Sequence, residues 1–305
     1  MKFENIRVYN FENAFRGMRN PKNSWNKSDS IFGIGTWDEH NEAVIKIAER
    51  WLKHKGYDLE EISDDIYTNC VDTLYNNSCL FQNDHMAEWA CIGPKDMNLA
   101  QTLISGGSEH RKFMRQIFVT VDITAPLYWW KEFDTYKVGT VANSTSTMHT
   151  IQNHPITLDC FEIDDFHNIE YPVEVQRPEI KSNADPDFIQ MCLIPYLEYL
   201  RTIYNNIQKE IKETSENIEE LENKAKIVWK ELIRWLPESW LQKRTVTMSY
   251  ENLFAMCSKG QRRFHKLTEW SGDGDEFVTE SFIKFARSLP YAQNLIFIDE
   301  LKYST

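Results

Sequence analysis

The sequence has no long apolar run, no paired-cysteine motif and a deficit of positive charge, and each shortage excludes something. No stretch approaches the roughly 20 apolar residues of a membrane-spanning helix, so no membrane partner is expected. The six cysteines, Cys70, Cys79, Cys91, Cys160, Cys192 and Cys257, include no Cys-x-x-Cys pair and no tight ligand spacing, which argues against a structural zinc site. With no secretory leader in view, they are expected to be reduced thiols of a cytoplasmic protein. Lys and Arg total 34 against 46 Asp and Glu, a net charge of -12. Such a field repels nucleic-acid polymers and acidic membranes, so neither is an expected partner, although a local basic cluster can still hold a small anion.

What the chain has in quantity is aromatic surface: 10 Trp, 13 Tyr and 17 Phe among 305 residues, of which 42% are hydrophobic. That is ample for a core, and rings remain for subunit interfaces or for stacking on a flat ligand. The length suits one large domain or two modest ones.

In chain order, Met1 to Asn10 reads as a first strand. Arg16 to Ser30 carries Arg16, Arg19, Lys22 and Lys27 around Pro21, with little to bury; it is either a solvated loop or an anion-binding loop. Asp38 to Lys55 is helical, with Ala43, Ile45, Ile47, Ala48, Trp51 and Leu52 as its apolar stripe. Helical pieces are expected at Leu59–Leu74 and Asp84–Ala90, and a helix from Pro94 to Ser105 that stops at Gly106-Gly107. Between 151 and 186 short strands are expected near Ile156–Phe161 and Tyr171–Val175. Residues 187–235 predict a long helical hairpin that breaks near Thr214-Ser215, with Ser215 as cap; its charges form a solvated face or an oligomer contact.

The stretch from Gln116 to Thr150 is the most informative. Ile117, Val119, Val121 and Ile123 alternate with other residues as in a strand, and Pro126 then opens a helix packed by Tyr128, Trp129, Trp130 and Phe133. After Gly139 the chain turns polar, with Asn143, Ser144, Thr145, Ser146 and Thr147 in succession, a run able to hydrogen-bond a polar ligand.

This stretch resembles the flavin-dependent thymidylate synthases. Their strand ends in Ala-Pro-Leu, matched by Ala125, Pro126 and Leu127, and their helix carries Arg-Gln where this chain has Lys131 and Glu132. Their motif RHRxxSxNExSxRY then falls on Thr135, Tyr136 and Lys137 for Arg-His-Arg, Thr140 for the first Ser, Ala142 and Asn143 for Asn-Glu, and Thr145 for the second Ser. Lys137, Thr140 and Thr145 keep the chemistry of the family residue, whereas Thr135 and Tyr136 are neutral where a fixed charge is expected. Just upstream, His110 falls on the first His of a flavin-contacting Gly-His-Glu-Ser/Thr segment, Lys112 on its hydroxyl residue, and Arg115 and Gln116 on a Glu-His pair. A second resemblance lies near the end of the hairpin. Leu236 and Pro237 match a Leu-Pro pair, Arg244 to Met248 a strand, Glu251-Asn252-Leu253 an Asn-containing helix start, and His265 and Glu269 keep a His-to-Glu spacing. Arg234 and Arg262 each lie one position from a family arginine that holds dUMP or polarises its uracil.

The resemblance implies a single α/β domain over 1–305, a curved mixed sheet flanked by helices with the 187–235 hairpin within it, assembled as a homotetramer. It implies FAD as cofactor, NADPH and methylene-tetrahydrofolate as co-substrates, and a pyrimidine nucleotide, dUMP or a relative, as the molecule methylated. It assigns Arg262 as the catalytic cation, and Arg115, Glu132, Asn143, Ser144, Thr145, Arg234 and Arg263 to the substrate. His110, Lys112, Thr135, Tyr136, Lys137, Asn252 and His265 fall to the cofactor. Tyr136 is either a ring that stacks on isoalloxazine or pterin or a buried helix aromatic. Two other readings stand beside this one: a different pyrimidine-nucleotide modification, and a non-catalytic nucleotide- or flavin-binding scaffold that keeps the fold.

Overall fold

A computed structural model of the chain describes residues 1–83, 86–136, 138–163, 192–257, 262–272 and 280–303. Its elements begin with β1 (Lys2–Tyr9), α1 (Phe11–Met18), β2 (Ile31–Gly35), α2 (Trp37–His54), α3 (Asp64–Ser78), β3 (Cys79–Gln82), β4 (Ala87–Cys91) and α4 (Pro94–Ser105). They continue with β5 (Phe118–Pro126), α5 (Leu127–Phe133), β6 (Val141–Ser144), α6 (Thr147–Thr150), α7 (Ile194–Glu213), α8 (Ile218–Arg234) and β7 (Leu241–Ser249). Last come α9 (Tyr250–Cys257), α10 (Thr268–Ser271), α11 (Phe282–Arg287) and α12 (Ala292–Leu295). The class is α/β, with sheets flanked by helices. The chain divides into two compact units: one holds Met1, Thr124–Glu132 and Ser144–Arg244, the other Lys2–Ile123, Phe133–Asn143 and Thr245–Thr305.

One four-stranded sheet has the order β1-β5-β7-β6. The period-2 pattern predicted for β5 is present: Val119, Val121 and Ile123 are fully buried. Between them Asp122 reaches both neighbouring strands, accepting from Asn5 Nδ2 at 2.8 Å and from Thr245 Oγ1 at 2.6 Å. Phe11 meets Tyr250 edge-on at 5.5 Å and Tyr291 at 5.9 Å, so part of the aromatic load goes into core. Helix α4 has the bounds predicted for it. Helix α2 starts on a capping box between Thr36 and Glu39 and buries Ala43, Val44, Ile47, Ala48 and Leu52. Ile45, expected in its stripe, is 41% exposed, and Val44 takes the inward position.

A second sheet corrects the sequence reading. The helix expected over Asp84–Ala90 is absent from the described part of that span: Ala87–Cys91 is the central strand of the antiparallel sheet β2-β4-β3. Asp84 and His85 lie outside the described residues. The pairing depends on glycine, because Gly33 faces Trp89 in register and a Cβ on Gly33 would meet the indole at 2.5 Å. The indole lies against bare backbone, and a weak strand sequence is held by ring packing.

In the smaller unit α7 and α8 form the predicted hairpin, with Leu197, Leu200 and Leu232 packed on Ile151, Ile156 and Phe161. The break falls after Glu213 as expected, but Asn217 in the left-handed region occupies the N-cap position rather than Ser215. The strand expected near Ile156–Phe161 is a 3-10 turn over Leu158–Cys160, followed by one β-bridge from Phe161 to Trp240. Glu198 anchors that segment by accepting from Ile156 N at 2.5 Å while Arg201 Nε and Nη2 bind its carboxylate at 2.7 and 2.8 Å. The strand expected at Tyr171–Val175 lies outside the described residues.

Candidate functional site

The larger unit gathers one group of the predicted residues. Helix α5 ends in a 3-10 turn, Asp134–Tyr136, whose carbonyl at Tyr136 accepts from Thr140 Oγ1 at 3.2 Å. The Arg262 guanidinium carbon lies 5.1 Å from the Tyr136 ring centroid, and Arg262 Nη1 donates to the Ala255 carbonyl in the last turn of α9. Trp270, fully buried in α10, sits 5.5 Å from Tyr136 and 5.4 Å from His265. His265 Nδ1 accepts from Leu267 N at 3.1 Å, which leaves Nε2 as the N–H of a neutral imidazole. Tyr136 and His265, singled out in two distant motifs, therefore both stand against one tryptophan, and Arg262 lies over Tyr136. The sequence reading had not named Trp270; its signal was its place directly after Glu269 in the His-to-Glu spacing.

Asn252 is tied to this group through the backbone. Its Oδ1 accepts from Ser249 N at 3.0 Å and Ser249 Oγ at 2.7 Å, and its Nδ2 donates to the Val138 carbonyl at 2.7 Å. It thus fixes the turn from β7 into α9 and holds the segment that follows Tyr136. Thr135 is exposed beside Tyr136, and Asn143 is exposed in β6. Lys137 lies outside the described residues.

The other predicted cations are placed elsewhere. Arg263 reaches Glu300 at 2.5 Å and Asp299 at 3.4 Å rather than sharing the direction of Arg262. Burial opposes ionisation of Glu300, yet its carboxyl stays below the ordinary value because Arg287 and Gln293 hydrogen-bond the charged form. Arg111 Nε binds Glu251 at 3.0 and 2.8 Å, and the guanidinium covers the Phe254 ring at 4.6 Å. His110 and Lys112 line a separate cavity of about 300 Å³ with Gly17, Asn20, Pro21 and Gln116. Lys112 pairs with Glu109 at 3.3 Å on the surface, and the exposed Arg115 donates to the Ser108 carbonyl at 3.4 Å.

Four predicted residues belong to the smaller unit. Thr145 binds the β7 backbone: its N and Oγ1 both donate to the Lys243 carbonyl, at 2.8 and 3.0 Å. Ser144 is exposed and Glu132 half-buried. Arg234 closes α8, with Nη1 3.2 Å from Glu231 Oε2. The Glu231 carboxyl is held below its ordinary value by hydrogen bonds from Trp235 and then from Arg234. No helix among the described residues is long and apolar enough to cross a membrane, and no group of three His, Cys, Asp or Glu among them is placed to hold a metal ion.

No protein-family model matches the chain, and no curated protein matches it. Among solved structures, a flavin-dependent thymidylate synthase ThyX from Helicobacter pylori, complexed with FAD and dUMP, aligns with 88% of this chain and 98% of its own. The identity is 13% and the TM-score 0.39. A second crystal structure of the same enzyme, also with FAD and dUMP, covers 90% of this chain and 99% of its own at 14% identity and the same TM-score of 0.39. A superposition that loose carries no residue-by-residue correspondence.

Proposed function

We propose that the chain is a flavin-dependent enzyme that methylates dUMP or a related pyrimidine nucleotide, with methylene-tetrahydrofolate and NADPH as co-substrates. The observation that supports this reading is the chain of contacts from Arg262 over Tyr136, through Trp270, to His265. One guanidinium, one half-buried phenol and one imidazole are a donor set suited to a flat heterocycle with carbonyl groups. Arg262 would stand beside the uracil carbonyl and stabilise negative charge as it develops on the ring. Tyr136 would stack on the isoalloxazine or pterin ring, Asn252 would keep the adjoining backbone in place, and His265 would donate from Nε2. His110 and Lys112 would take the phosphates, joined by Lys137. When bound, the flavin supplies the hydride. Assembly as a homotetramer belongs to this reading, since sites in the resembled family are shared between subunits.

A second reading, a non-catalytic nucleotide- or flavin-binding protein or one with a different pyrimidine chemistry, is favoured by one observation. Arg263, Arg111 and Arg234 all direct their guanidinium groups to carboxylates of the same chain. The visible spectrum of the purified protein with FAD and dUMP, followed by product analysis, separates the two. A retained flavin that NADPH bleaches, with dTMP formed when methylene-tetrahydrofolate is added, is the result expected. A protein that retains no flavin overturns the first reading, and retained flavin without dTMP moves the assignment to the second.

A further inference from the structure

The loop after α1 holds a second arrangement of cations, which does not depend on the flavin reading. Arg19, counted among its exposed charges from sequence, is 6% exposed and pairs with Asp96, itself 1% exposed, at 2.5 Å. The other oxygen of Asp96 accepts from Ser28 Oγ and Ser30 Oγ, both at 2.6 Å, and from Ser30 N at 3.2 Å. Asp29 then caps α4, its carboxylate accepting from Lys95 N at 2.9 Å and Asp96 N at 3.1 Å. A buried ion pair adds little net stability, and its effect here is to fix the loop in one shape against the first turn of α4.

On the outer side of that fixed loop is a cavity of about 520 Å³. Lys22, Lys27 and Lys95 line it, with Asn23, Ser24 and Asn26 between them. All three lysines are exposed, and none makes an ion pair with a described residue, unlike Lys46, Lys112 and Lys131, which each have a carboxylate partner. Arg19 adds no free charge, being matched by Asp96. Three lysines without an ion-pair partner among the described residues therefore line one cavity of a chain whose net charge is -12. Convergent like charges repel one another, and an anion of matching charge relieves that repulsion.

We propose that this cavity binds an oligophosphate, the di- or triphosphate group of a nucleotide or the same group free. Lysine is a compact, rotatable point charge suited to phosphate oxygens spread over several ångströms. The intervening amides and hydroxyl supply neutral donors to oxygens that the lysines do not reach. A pyrophosphate offers more charge and more oxygens to three cations than a single phosphate or carboxylate does.

The test is calorimetric titration of the full chain with inorganic pyrophosphate in metal-free buffer, beside orthophosphate, tripolyphosphate and ATP. Saturable binding of pyrophosphate that weakens with added salt is expected, with orthophosphate weaker by about tenfold or more. Lys22→Gln, Lys27→Gln and Lys95→Gln are each expected to weaken pyrophosphate by about tenfold, the loss of one charged hydrogen bond. Lys46→Gln and Lys112→Gln are expected to leave it unchanged, which separates this site from the phosphate-binding residues of the proposed flavin site. ATP tighter than tripolyphosphate assigns the nucleotide, and equal affinities assign the free oligophosphate. Absence of saturable binding, or a triple Lys→Gln variant that is folded by circular dichroism and binds like the parent chain, overturns the proposal.

Discussion

Arg262 lies over the ring of Tyr136 at 5.1 Å while the same guanidinium donates to the carbonyl of Ala255 at the end of α9. The first contact places a cation in the candidate site, and the second tethers it to the negative end of a helix. Under the proposed function, Arg262→Ala is expected to lower dTMP formation by about 10²–10³-fold, the usual effect of removing one preorganised donor to a developing oxyanion. Its stability should fall by only about 1 kcal/mol, since one partly exposed hydrogen bond is lost. Urea unfolding alongside product assays checks both, and unchanged turnover takes Arg262 out of the mechanism.

Asn252 makes a separate prediction because both ends of its amide are engaged. Asn252→Asp keeps the oxygen that accepts from Ser249 but sets a carboxylate oxygen against the Val138 carbonyl. A donor–acceptor pair becomes two acceptors, at an expected cost of about 1–3 kcal/mol. Urea unfolding of Asn252→Asp beside Asn252→Ala is the measurement. If Asp proves as stable as the parent chain, the tether to Val138 is not what holds the segment after Tyr136.

What was readable from sequence follows from how local the cause is. Val119, Val121 and Ile123 state their own alternation, and Pro94 and Gly106 punctuate the two ends of the 12-residue α4. The second sheet was not readable, because β2 carries Gly33 and Gly35 and β4 is five residues long. The Trp89 indole, set against Gly33 from a distant strand, is a contact that no local pattern announces. The site divides in the same way. Tyr136, Arg262 and His265 could be named by resemblance, whereas the place of Trp270 between Tyr136 and His265 emerges from packing. Arg19 looked like a free cation until Asp96, 77 residues away, appeared against it.

The Arg19–Asp96 pair predicts unequal effects of removing its two members. After Arg19→Met, Asp96 still accepts from Ser28, Ser30 and the Asp29 backbone, so its charge remains hydrogen-bonded. After Asp96→Asn, the amide oxygen can still accept from Arg19, but the buried guanidinium has lost its counter-charge and the new Nδ2 group faces the Asp29 and Ser30 N–H donors. Asp96→Asn is therefore expected to cost about 3–5 kcal/mol, and Arg19→Met less. Chemical denaturation of the two variants gives the order, and a larger loss for Arg19→Met contradicts this account.

His40 makes the last prediction, a dependence of stability on pH. It is fully buried between Tyr75 and Trp89, with ring centroids at 5.1 and 5.4 Å, and its Nε2 is 2.8 Å from Ser78 Oγ. Burial lowers its pKa below the model-peptide value of 6.5, because the charged imidazolium would lose its hydration among apolar rings. The unfolded chain therefore takes up the proton at a higher pH than the folded one. Stability tied to His40 is present above the unfolded value and is lost as the pH falls through it toward the folded value. Between about pH 7.5 and about pH 5.5 the parent chain should lose roughly 1 kcal/mol more than His40→Gln, which can still bond Ser78 but does not titrate. Melting curves of both proteins across that interval decide the matter. Parallel losses would mean that the imidazole carries no share of the acid sensitivity, and that its place between two rings serves packing alone.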